Sequence, residues 1–323
     1  MKKSIAIIAG EPNSISSEII FKCWKLRKKF TTNPIFIIGS IDLLNSQKKK
    51  LNYKIKLKKI NDCFSLSNLK SNEMPIYDIK YEQKKPFEKI SSKSNKYILK
   101  SFNLAMKLAI NKKILGFVNC PISKETFFNK KYQGVTEFLA KKSRVKDNVA
   151  MLLYNKELSV SPLTTHISLK QVSKKISKSK IVRKVKILNN FYKKVFKKKP
   201  KIAILGLNPH NFSTLKKSEE KEIIKKAVNK LLKLKIKVYG PIPADSSFMI
   251  FKKDKFNIIL GMYHDQVLAP FKALYGFKAV NVTAGLPYIR VSPDHGIAKN
   301  ITCKNIANPT SLIESIKFFK YLN

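Results

Sequence analysis

A chain of 323 residues with 44% hydrophobic content can build one large α/β unit or two lobes with their own cores. It holds no run of 18 apolar residues, which excludes a membrane-spanning helix. Its four cysteines (Cys23, Cys63, Cys120, Cys303) form no C-x-x-C pair, so they read as free thiols rather than a disulfide frame or a zinc knuckle. The net charge of +46 rests on 62 Lys and 4 Arg spread along the chain with abundant Ile and Asn, a pattern of AT-rich coding drift; a nucleic-acid surface would favour clustered Arg with interleaved aromatics.

The start resembles a signal peptide, but its apolar run ends after Ala9. Gly10-Glu11-Pro12 follows without a cleavage-like site, so a buried first strand and a cytoplasmic protein are expected. Strand one is Ser4 to Ala9. Ser14, Ser16 and Ser17 are cap candidates for a helix running to about Lys29. A strand at Pro34–Ile38 and a short helix from Asp42 come next. The Lys-rich residues 48–86 read as an extended, peripheral segment. An amphipathic helix is expected over Ile90–Asn111, then a strand at Ile114–Val118 and a helix opening at Gly134.

Val149–Tyr154 and Leu158–Leu163 read as strands, Ser177–Phe196 as a basic helix and Lys201–Leu205 as a strand. Ser218–Leu234 is a charged helix, Lys235–Tyr239 a short strand, and Gly240 to Asp245 a turn. The apolar run Phe256–Met262 suits a parallel strand covered on both faces, Ala279–Thr283 is another strand, and Pro309–Tyr321 closes the chain as a helix. This alternation argues a doubly wound, mostly parallel sheet, in two lobes around a cleft. The lobes are expected at 1–130 with 265–323, and at 131–264.

Three of the four histidines follow apolar strands by a few residues: His166, His210 and His264. Carboxyl ends of parallel strands gather on one rim. Separations of 44 and 54 residues rule out a local knuckle but suit three imidazoles on one catalytic metal with an open position. Asp245 and Asp265 stand near them, to orient an imidazole or act as a base, although Asp245 also suits a helix N-cap. Lys272 and Arg290 offer cations to an anionic substrate. The sequence contains no G-x-G-x-x-G, so it carries no conventional dinucleotide fingerprint.

The ordered pieces A-G-E-P, P-I-S-K (121–124), T-E-F (136–138), T-T-H (164–166), G-L-N-P-H (206–210), G-P-I-P-A-D (240–245), Y-H-D-Q (263–266), N-V-T-A-G-L-P-Y-I-R (281–290) and D-H-G (294–296) cover nearly the whole chain. Together they resemble the 4-hydroxythreonine-4-phosphate dehydrogenases of pyridoxal phosphate synthesis. The resemblance implies an isocitrate/isopropylmalate-dehydrogenase-like fold and a homodimer with its active site near the subunit interface. It implies one divalent ion (Zn, Mg, Co or Mn) on His166, His210 and His264, and substrate contacts from Thr136, Lys272, Asn281 and Arg290. It also implies NAD or NADP, for which Asp294, His295 and Gly296 are the candidate segment. The implied reaction oxidises the secondary alcohol of 4-phosphohydroxy-L-threonine to a 3-oxo acid that decarboxylates to 3-amino-2-oxopropyl phosphate.

Three positions depart from the family pattern. Val135 stands where a His usually precedes the Thr. Ser14 and Ser16 replace glycines, at a strain of about 1 kcal/mol each if those sites need positive φ. Cys120 stands where Gly is common before Pro121. Val135 keeps open a different substrate, 4-phosphothreonate or 4-phosphoerythronate. A nucleic-acid-binding protein on a retired enzyme scaffold is a third reading, resting on the +46 charge alone.

Overall fold

The computed structural model describes residues 2–61, 72–129, 131–145, 148–212 and 217–322. In chain order the main elements are β1 (Ile5–Ile8), α1 (Ser16–Leu26), β2 (Ile35–Gly39), α2 (Ile41–Lys50), β3 (Lys56–Ile60), β4 (Glu73–Asp78), α3 (Asn95–Ile110), β5 (Gly116–Asn119) and α4 (Lys124–Phe128). Then come α5 (Val135–Lys142), β6 (Ala150–Tyr154), β7 (Ser159–Pro162), α6 (Val172–Lys175), α7 (Lys178–Phe196), β8 (Ile202–Leu205), α8 (Lys225–Lys233), β9 (Val238–Ile242), α9 (Ala244–Ile250), β10 (Ile258–Gly261), α10 (His264–Tyr275), β11 (Val280–Ala284), β12 (Arg290–Pro293) and α11 (Thr310–Lys317). Among the described residues no helix is long and apolar enough to cross a membrane.

The chain divides into two compact units, Met1–Val135 with Pro287–Asn323, and Thr136–Leu286. The first carries strands in the order β3-β4-β2-β1-β5-β12, with β1 parallel to β2 and β5, and β12 parallel to β5. Its central strands are apolar on both faces, as a covered parallel sheet requires. The second carries β11-β6-β7-β10-β8-β9. There β7, β10, β8 and β9 run parallel, while β6 is antiparallel to β7 and β11. The expected α/β architecture is present.

Four details differ from the sequence reading. The break expected at 264/265 lies at 286/287. The reason is packing: α10 buries Val267, Leu268 and Phe271 in a core with Val160, Ala203 and Ile259, and β11 pairs with β6 from Val280 opposite Tyr154 to Ala284 opposite Ala150. Residues 48–86 are not peripheral throughout, because β4 inserts between β3 and β2 with Met74 and Ile76 fully buried. The turn expected at Gly240–Ile242 is part of β9. The charged helix of 218–234 opens as a π-turn at Glu220–Ile224 before α8.

The C-terminal segment is anchored back to the first unit by a buried charge. Glu18 Oε1 accepts from the Ala307 N–H at 2.6 Å and from Lys22 Nζ at 2.8 Å, and Lys22 also donates to the Asn305 and Ala307 carbonyls. Gly10, at φ +76°, lets β1 turn directly into Glu11, and a Cβ there would stand 2.5 Å from the Pro121 carbonyl. Gly10→Ala is expected to cost more than about 1 kcal/mol, read from the midpoint of chemical denaturation.

Candidate active site

Each of the four parallel strands of the second unit hands the chain to a candidate residue at its carboxyl end. His166 follows β7, His264 follows β10, His210 follows β8 and Asp245 follows β9. Because those strands are neighbours in that order, the four residues share one rim. The His166 and His264 rings approach to 5.9 Å between centroids, tilted by 39°. His264 is the first residue of α10, and its Nδ1 sits 2.6 Å from Asp265 Oδ1, which leaves Nε2 facing away from the carboxylate. Asp265 lies in the first turn of α10, where a carboxylate is favoured by the helix dipole.

His210 is placed differently. Its loop turns through three successive left-handed residues, His210, Asn211 and Phe212, and its ring is 82% exposed with Nδ1 3.6 Å from Asp245 Oδ2. Among the described residues no three His, Cys, Asp or Glu side chains already converge as a cage. The structure therefore pairs two of the expected ligands and leaves the third on the adjacent strand, turned toward Asp245. Asp245 does not cap α9: Pro243 holds the N-cap position, and the carboxylate sits in the first turn, exposed.

The loop that carries His210 is held from below. Glu220 is 2% exposed and accepts at 2.8 Å from the backbone N–H of Leu207 and of Asn208. Asn208 Nδ2 adds further bonds to the same carboxylate. Burial raises the pKa of the Glu220 carboxyl, but these donors outweigh it and hold the group below the usual carboxylate value.

Two expected substrate residues gather at β11, Asn281 on the strand and Thr136 reaching it from α5. Thr136 Oγ1 lies 3.3 Å from Thr283 Oγ1, and Asn281 stands two residues before Thr283, on the same face of that strand. Lys272 is exposed, eight residues along α10 from His264, about 12 Å of helix.

In the first unit Arg290 opens β12 and is 2% exposed, with Nε donating to Asn119 Oδ1 at 2.6 Å. Asp294 follows β12 and donates its backbone N–H to Ser311 Oγ, and His295 Nδ1 lies 3.1 Å from the Gly296 carbonyl. At the end of β1 the buried Glu11 is pushed up by burial, against bonds from the Asn13 N–H and the Ser94 hydroxyl. Ser14 and Ser16 are not among the positive-φ residues, so the strain expected there is absent; Ser14 Oγ instead donates to the Glu11 carbonyl at 2.8 Å and accepts from the Ser16 N–H. Cys23, Cys120 and Cys303 are free thiols, and burial raises the pKa of the first two; Cys63 lies outside the described residues.

Residues 31–319 match the family model described as pyridoxal phosphate biosynthetic protein PdxA. The chain belongs to the PdxA family. A 4-hydroxythreonine-4-phosphate dehydrogenase from Sulfurihydrogenibium is 38% identical over 97% of this chain and 96% of its own length. A D-threonate 4-phosphate dehydrogenase from Salmonella typhimurium is 30% identical over 98% and 97%. Among solved structures, a 4-hydroxythreonine-4-phosphate dehydrogenase from Klebsiella pneumoniae superposes with a TM-score of 0.88 at 28% identity, covering 100% of this chain and 98% of that one. A PdxA-family chain is a dehydrogenase.

Sequence reasoning missed Glu220, Thr283 and Asn119. Asn119 had a signal, being the polar residue that ends an apolar strand. Glu220 had none, because it sits in a helix of alternating Lys and Glu. Its depressed pKa has a consequence for stability. The stabilisation is present above the ordinary carboxylate value and disappears as pH falls through the lowered one. Glu220→Gln is expected to unfold at lower denaturant than the wild type at pH 7, with the gap closing toward pH 3.

Proposed function

We propose that this PdxA-family chain oxidises 4-phosphohydroxy-L-threonine with NAD or NADP in pyridoxal 5'-phosphate synthesis. The product is the 3-oxo acid, which loses CO2 to leave 3-amino-2-oxopropyl phosphate. The observation that carries the reading is the His166–His264 pair on adjacent parallel strands, with His210 and Asp245 next along the same rim.

The donor set fits one divalent ion, Zn, Mg, Co or Mn. A centroid separation of 5.9 Å is of the order expected for two imidazoles sharing an ion, whose nitrogens bind at about 2 Å. Asp265 fixes the His264 ring through Nδ1. His210, exposed and beside Asp245, is the ligand that would turn inward. The segment Asp294–Gly296 fits a dinucleotide, since it follows a parallel strand and nothing lies within 4 Å of where a Gly296 Cβ would stand. When bound, the ion supplies a Lewis acid for the substrate hydroxyl, and the dinucleotide supplies the hydride acceptor.

The chain's own groups do the rest. Asp245 Oδ2 takes the hydroxyl proton as hydride leaves the same carbon. Thr136, from α5, and Asn281, on β11, hold the substrate's polar arm. In the first unit Arg290, its planar fork fixed by Asn119, suits an anionic group of the substrate, and in the second Lys272 offers such a group a point charge. In a homodimer with its active site near the interface, the exposed Lys272 would serve the neighbouring subunit.

Turnover of 4-phosphohydroxy-L-threonine with either dinucleotide and added metal, followed by cofactor absorbance, tests the reading. Val135, only 9% exposed beside Thr136, favours a second one, oxidation of 4-phosphothreonate or 4-phosphoerythronate. The ratio of kcat/KM on the three substrates decides between them.

Two substitutions probe the assignments. Metal content of His210→Ala, by elemental analysis, is expected well below one ion per subunit, and unchanged stoichiometry removes His210 from the site. Arg290→Lys is expected to lower kcat/KM ten-fold or more, about 1.4 kcal/mol. The same exchange at the exposed Arg144 and Arg183 should change it little. Equal, small effects at all three positions would withdraw Arg290 from substrate binding.

A further inference from the structure

We propose that Gln266 is a positioning residue: its carboxamide clamps the loop carrying His210 to the loop carrying His264 and sets their spacing. The proposal rests on the divalent-ion reading above. Gln266 Nε2 donates to the Gly206 carbonyl at 2.8 Å, and its Oε1 accepts from the Met262 N–H at 2.7 Å. Those two backbone groups belong to neighbouring strands at the point where they part. The β8–β10 register runs from Ile202 opposite Ile258 to Ile204 opposite Leu260. Gly206 and Met262 continue that register two residues past its last pair. One side-chain amide takes over where the ladder stops, offering a donor to one strand and an acceptor to the other, as a peptide group would.

The surroundings are shaped for it. A Cβ on Gly261 would stand 3.0 Å from Gln266 Oε1 and 2.5 Å from a Val267 methyl, so only glycine lets the amide come in. The Met262 peptide that Gln266 holds by its N–H is held by its carbonyl from Thr164 Oγ1, at 2.7 Å, on the loop that leads to His166. On the other side, the Gly206 N–H donates to the Ile242 carbonyl at 2.9 Å, at the end of the strand that leads to Asp245. A single line of hydrogen bonds thus crosses the carboxyl ends of all four strands, and Gln266 is its link between the second and third. Residue 266 lies in the first turn of α10, where the helix dipole would favour Glu. Glutamate would keep the acceptor and lose the donor, which accounts for an amide at this position.

Cobalt(II) is the probe. Calorimetric titration of the wild-type protein should show one ion per subunit, with visible absorption bands of a histidine-ligated site. Gln266→Glu, which suits the helix and keeps one of the two bonds, should bind cobalt at least ten-fold more weakly, with altered band intensities, as outer-shell partners of metal ligands commonly do. Gln266→Met keeps the length of the side chain and drops both bonds, and it serves if the Glu variant does not fold; the same ten-fold loss is expected. Wild-type affinity and an unchanged spectrum in a folded variant would overturn the positioning role while leaving the ion site standing, even if the variant is less stable. Absence of cobalt binding by the wild type would overturn the ion site and, with it, this inference.

Discussion

A parallel strand covered on both faces has one place to put polar chemistry, its carboxyl end. The second unit follows that constraint in β7, β10 and β8, and the partly exposed edge strand β9 ends on the same side. β7, β10, β8 and β9 lie side by side, run the same way, and each releases the chain toward His166, His264, His210 or Asp245 a few residues on. Their interiors are Val160, Ile259, Leu260, Ala203 and Ile204, all buried to completion. None of the four site residues has a sequence neighbour among the others. The sheet alone makes them neighbours, and the site is as precise as the register of the strands beneath it.

Loops that leave a sheet need their own anchors, because backbone groups beyond the last ladder bond must find partners. Here the anchors are side chains that do no chemistry themselves. Glu220 takes two backbone N–H groups of the loop after β8, and Asn211 Nδ2 donates to the Pro241 carbonyl of the next strand. Asp265 fixes a ring rather than a backbone. The result is an uneven site, in which His264 is held on one side of its ring and His210 stands exposed beside Asp245.

Much of this was legible in the sequence, for a physical reason. Apolar runs such as Ile202–Leu205 and Ile258–Gly261 are nearly continuous because both faces are covered, so strand and strand end could both be read, and the histidines located, from the chain alone. What could not be read was set by long-range pairing. The boundary of the second unit depends on β11 joining β6 across more than a hundred residues. Gly240-Pro241-Ile242 has turn residues throughout yet completes β9, since Gly240 at φ +148° lets the chain pass against the Ile204 carbonyl, where a Cβ would not fit. Lysine saturation hid the rest, because a charge that anchors a loop cannot be told from one that is merely solvated.

The same argument separates the two cations implied in substrate binding. Arg290 is buried in a strand, bonded through Nε to Asn119, and stands one position from Ile289, whose carbonyl accepts from the Phe117 N–H. Burying a guanidinium among strands is costly unless its donors are used, and Lys cannot reproduce its planar fork. Lys272 lies on the exposed face of α10 and needs only reach and charge, which any of the chain's 62 lysines could offer. The case for Lys272 therefore rests on its position on the helix, and the case for Arg290 on its chemistry. Only the second kind of signal survives in a composition as biased as this one.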